Sequence, residues 1–149
     1  MKKILTLFAA VAVCSIVWAD TASIIFSKKG YENNTVLPTE NLDANISISY
    51  DKGGANNDAK FFVSDSTARV YGAGKFIISG AEGVTISKID IVSSGNALSA
   101  NVGTYSDGTW TGSAQSVTFT SGTTNTSNTK LTSIVVTYTG AGGEKVPYI

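Results

Sequence analysis

The run VTISKIDIV at residues 84–92 constrains this chain more than any other stretch. β-Branched residues dominate it, and its apolar positions recur at nearly every second residue, the spacing of a strand with one face on a core. Val84 and Ile86 share one parity, whereas Ile89 and Ile91 share the other. A regular strand would turn one of these pairs to water, so a bulge or bend is expected at Ser87-Lys88. A second β-branched run, LTSIVVTY at residues 131–138, has the same near-two period and is the expected partner strand.

The rest of the chain repeats this pattern in shorter pieces. Strands are expected at residues 23–27, 45–50, 60–63, 68–71, 75–79, 109–113, 116–120 and 130–139. In the stretch at 45–50, Ile46, Ile48 and Tyr50 should point inward and Ser47 and Ser49 outward. Residues 100–105 should face residues 109–113 across Ser106-Asp107-Gly108, because Asp-Gly is a strong hairpin signal. Residues 31–43, 51–58 and 121–129 are polar and rich in Asn, Gly, Ser or Thr, and are expected as loops. The expected fold is all-β: a two-sheet antiparallel β-sandwich, jelly-roll-like, of about nine strands.

The chain opens like an export signal. Lys2 and Lys3 precede an apolar run to Trp18 of about 15 residues, short of the ~20 that span a bilayer as a helix. Val17-Trp18-Ala19 then offers a signal-peptidase site. The expected division is a signal peptide at 1–19, a sandwich domain at 20–139 and a Gly-rich tail at 140–149. Cleavage after Ala19 would also remove Cys14, the only cysteine, and with it any disulfide, thiolate metal site or thiol nucleophile. The mature chain would then keep nine cations against eleven anions, a net −2. It would have no membrane span, and such a balance without a basic cluster argues against nucleic acid as a partner. The expected location is outside the cell or on its surface.

Chemistry is sparse. Histidine is absent, which removes any Ser-His-Asp arrangement. The stretch YGAGKF at residues 71–76 lacks both the first glycine and the final Ser or Thr of a phosphate loop, so it reads as a turn. The chain is therefore expected not to be an enzyme, and no cofactor is called for. Calcium is the one ion with candidate ligands: Asp51, Asn56 and Asp58 could present oxygens from a single loop, although the spacing matches no EF-hand. For an organic ligand the sharpest candidates sit at the Asp-Gly hairpin. Trp110 and Tyr105 could stack on a sugar ring while Asp107 takes its hydroxyls. The competing reading is that Trp110 is core, as large aromatics in sandwiches usually are. Phe61-Phe62, Arg69 and Tyr71 pose the same question, since one of each adjacent pair must face out unless both faces are covered.

Several stretches taken in order carry a resemblance. They are residues 48–51 with the Gly/Asn loop that follows, KFF at 60–62, ARVY at 68–71, residues 86–91, TYSDGTWTG at 104–112, VTFT at 117–120 and residues 132–138. Together they resemble a small secreted β-sandwich module common in Bacteroidetes-type bacteria and often appended to surface proteins and extracellular hydrolases. The resemblance implies a non-catalytic accessory or binding domain and assigns no site residues. The expected function is a secreted binding or adhesion module, most plausibly for glycan. The alternative is a structural surface protein that associates with itself or with another surface protein through an edge strand.

Overall fold

The computed structural model describes residues 18–140. The expected signal segment up to residue 17, Cys14 within it, and the tail beyond Gly140 lie outside the described residues. Among the described residues there are thirteen strands: β1 (Asp20–Ile25), β2 (Thr35–Val36), β3 (Glu40–Asn41), β4 (Ile46–Asp51), β5 (Lys60–Phe62), β6 (Thr67–Tyr71), β7 (Lys75–Gly80), β8 (Thr85–Gly95), β9 (Leu98–Ala100), β10 (Thr104–Ser106), β11 (Thr109–Ala114), β12 (Ser116–Ser121) and β13 (Asn128–Thr139). The count exceeds the expected nine or so, from ten separate segments, for two reasons. The segment expected as a loop at 31–43 contributes the two-residue strands β2 and β3. The single strand expected at 100–105 is two, because the chain crosses from one sheet to the other between β9 and β10.

All pairings are antiparallel. One sheet runs β10-β11-β8-β13-β6-β5-β2, with β1 also paired to β13; the other runs β3-β4-β7-β12-β9. The two packed sheets make a β-sandwich. β13 spans the first sheet, pairing with β8 on one side and with β6 and then β1 on the other. Its partner changes where Thr132 is bulged out of register, between Leu131 opposite Ser93 and Ser133 opposite Val92. A bulge bends and twists a strand, which is what such a hand-over needs.

The expected bulge in β8 falls where parity placed it. Thr137 pairs with Lys88 and Tyr138 with Ile86, so Ser87 is the extra residue. That one residue lets Val84, Ile86, Ile89 and Ile91 all turn inward, each less than a twentieth exposed. The core closes between the sheets, with Ile46, Ile48, Ile78 and Val117 from one side and Ile86, Ile89, Ile134 and Val136 from the other. Phe76 and Phe119 stack within it, with ring centroids 5.0 Å apart. Burial of this apolar surface drives the packing at roughly 25 cal/mol per Å2. Among the described residues no helix is long and apolar enough to cross a membrane.

Candidate functional site

The hairpin expected to hold a ligand is built differently from that expectation. Trp110 is fully buried and its Nε1–H donates to the Val102 carbonyl at 2.6 Å. The β9–β10 connection lies so close to the indole that a Cβ on Gly103 would be 2.5 Å from Nε1, and on β11 itself a Cβ on Gly112 would be 2.7 Å from Cζ2. No ring face is left for a sugar, so Trp110 is corrected from stacking residue to core residue. Its flanking threonines turn outward, and the sandwich interior takes the indole. Tyr105 is half-buried and meets Phe119 edge-on, centroids 5.6 Å apart. Burial pushes its hydroxyl pKa up, outweighing a hydrogen bond from Ser93 that lowers it. Asp107 is exposed at the hairpin tip with φ 51°, next to Gly108, whereas the two aromatics of this hairpin are half-buried (Tyr105) and buried (Trp110).

The candidate calcium loop is engaged in its own turn. Asp51 Oδ1 accepts the Gly53 amide at 2.8 Å, and Asn56 Oδ1 accepts Asn125 Nδ2 at 3.3 Å. Asp51, Asn56 and Asp58 are all exposed. Among the described residues no three His, Cys, Asp or Glu side chains converge to hold a metal ion.

Two grooves open at the side of the sandwich. One, of about 200 Å3, lies between β1 and β3 and is bordered by Lys28, Lys29 and Leu42. The other, of about 170 Å3, surrounds Asp43 and Asn45. Both are smaller than the roughly 300–1,000 Å3 of small-molecule pockets. The polar groups nearby are committed to the fold. Asp43 accepts the amides of Asn45 and Ile46 and the Tyr138 hydroxyl, the last at 2.5 Å. Glu40 accepts from Tyr31 at 2.8 Å and pairs with Lys29 at 3.0 Å. Burial pushes the Glu40 carboxyl up, but those two partners outweigh it and hold it low.

The outer face of the larger sheet is more informative. Phe61, Ala68, Val70, Thr129 and Leu131 point into the core. By alternation Lys60 and Phe62 on β5, Arg69 and Tyr71 on β6, and Asn128 and Lys130 on β13 point out. The ladders set Lys60 opposite Arg69 and Arg69 opposite Lys130, so three cations form one row across three neighbouring strands. Tyr71 stands opposite Asn128, one rung from that row, and, like Tyr105, is half-buried. On the other side the Arg69 guanidinium lies over the Phe62 ring, 4.0 Å from its centroid.

Like charges directly opposite each other on a sheet are destabilising. The β5–β6 turn offsets this through Asp65, which is 3.0 Å from Arg69 Nη2 and 3.2 Å from Lys130 Nζ. Ser66 in the left-handed region (φ 57°) lets the turn fold tightly enough to bring that carboxylate over the row. The Thr67 hydroxyl, donating at 2.7 Å, is the leading cause that lowers the Asp65 pKa to about 2; burial opposes it, and Arg69 and Lys130 add to the lowering. Lys60 makes no ion pair among the described residues. The Arg69 Nε–H is covered and has no acceptor there.

Sequence reasoning raised Phe62, Arg69 and Tyr71 as a question of facing but did not find Lys60 and Lys130. Nothing local links residues 60, 69 and 130; only the register does. No protein-family model, curated protein or solved structure matches this chain.

Proposed function

We propose that this chain is an exported, non-catalytic binding module for carbohydrate, with its site on the outer face of the larger sheet at β5, β6 and β13. The observation that carries this reading is Tyr71: a partly exposed ring on the outer sheet face, beside Asn128 and the Arg69–Lys130 pair. An aromatic face takes the apolar side of a sugar ring while neighbouring amide and cationic groups bond its hydroxyls. Export rests on the N-terminal Lys2-Lys3 and apolar run. Cleavage after Ala19 would leave β1 whole, since its first paired residue is Asp20, opposite Tyr138. The likeness to Bacteroidetes-type accessory modules supports the same reading.

The test is binding of Tyr71→Ala and Trp110→Ala to a glycan array. Tyr71→Ala should lose binding with its melting temperature nearly unchanged. Unchanged binding by a folded Tyr71→Ala protein would remove this face as the site.

A second reading is favoured by β1. It has six residues, pairs only with β13, and carries Ile25 two-fifths exposed, whereas β2, β3, β9 and β10 are two or three residues long. Short edges resist strand addition and long ones invite it. Size-exclusion chromatography over a range of concentrations separates the readings: persistent association would favour an assembly role.

A further inference from the structure

From the row of cations we infer that the ligand of this face is an acidic polysaccharide whose uronate carboxylates seat along Lys60, Arg69 and Lys130. This rests on the carbohydrate reading above and names its substrate class. Adjacent strands are about 4.8 Å apart, so three cations in one row cover about 10 Å. A row of that length lets carboxylates on the near side of one short polyuronate stretch meet more than one of its cations. The charge is local. The whole chain balances eleven cations against eleven acids, yet this row concentrates three cations against Asp65 alone.

Asp65 shows what the row accepts. Its carboxylate sits between the guanidinium and the ammonium at 3.0 and 3.2 Å, the geometry a uronate would reproduce. Arg69 and Lys130 keep further donors, since a guanidinium has five and an ammonium three. Lys60, with no acid partner among the described residues, is the open end of the row. Phe62 and Tyr71 flank the cations on either side along the strands; the Phe62 face is taken by the Arg69 guanidinium, so Tyr71 is the ring left for a sugar, where a bare inorganic anion would gain nothing.

The experiment is affinity electrophoresis of the full chain through gels containing polygalacturonate, neutral galactan or a mixed-sequence single-stranded oligonucleotide, at low and high salt. Polygalacturonate should retard the protein, and raising the salt should weaken that retardation by screening. Lys60→Ala removes no ion pair or side-chain hydrogen bond seen among the described residues and should weaken binding by up to about fivefold, the scale of an exposed ion pair. Lys60→Arg should restore it. If galactan is bound instead, with dependence on Tyr71 and none on Lys60, the acidic-ligand inference fails and the carbohydrate reading survives. If neither polysaccharide retards the protein, both fail. If the oligonucleotide is bound as tightly as polygalacturonate, the face is a general polyanion site and the assignment to uronates is overturned.

Discussion

At the scale of single residues, Trp110 and Tyr71 show how one chemistry takes two roles. Both are large aromatics on strands, but Trp110 faces the opposite sheet and Tyr71 faces away from it. Trp110→Ala should cost about 3–5 kcal/mol, as truncated buried aromatics do, read from urea denaturation. Gly103→Ala should also destabilise, because φ is +70° and the new Cβ would press on the indole; strain in the left-handed region alone is of order 1–3 kcal/mol. Asp65 gives a pH dependence. Its carboxyl is lowered in the folded state from 3.8 to about 2, so its stabilising effect is complete above the unfolded value and fades as pH falls from about 4 towards about 2. Urea midpoints across that window should decline in the wild type and decline less in Asp65→Asn.

At the scale of elements, the two bulges matter more than the strand count. Ser87 is the residue that lets both halves of β8 face inward. Its hydroxyl also donates to the Thr137 carbonyl at 3.3 Å. Removing it joins Ile86 to Lys88 and leaves a strictly alternating VTIKIDI, in which Val84, Ile86, Ile89 and Ile91 still point inward. Deleting Ser87 should therefore preserve a cooperative fold, at a cost near that of one hydrogen bond, about 0.5–1.5 kcal/mol. Deleting Asp90 instead makes Ile89 and Ile91 adjacent and turns one of them outward, which should cost at least roughly 1.5–3 kcal/mol. Urea midpoints of the two deletions decide this: equal losses would mean that side-chain facing does not fix the register of β8. The bulge at Thr132 carried the same signal, since Leu131 and Ile134 differ in parity, and it could have been read in the same way.

At the scale of the whole molecule, small polar residues fill much of the outer faces of the sandwich. Ser47, Ser79 and Ser116 align on one sheet, and Thr111, Thr137 and Thr21 share a row with the single cation Lys88 on the other. Against that background the Lys60–Arg69–Lys130 row and its aromatic flanks are the exception. Export predicts that the protein recovered outside the cytoplasm begins at Asp20 by N-terminal sequencing; a chain still beginning at Met1 would count against cleavage after Ala19. If the face at β5, β6 and β13 is the functional surface, the protein should elute as a monomer at all concentrations and still bind polysaccharide.

The sequence by itself determined that this chain is all-β, where most of its longer strands lie, and that β8 must be bulged near Ser87. These follow from period, parity and turn chemistry, which are local. What only the tertiary structure decided is which face each strand gives to the core and which distant residues become neighbours. Alternation says that the two faces of a strand differ, and burial by the other sheet says which face is covered. That covering sealed Trp110 beneath the β9–β10 connection and left Tyr71 outside. Lys60, Arg69 and Lys130 became one row because non-local pairing fixed the register of three strands, and no short stretch of sequence carries that information.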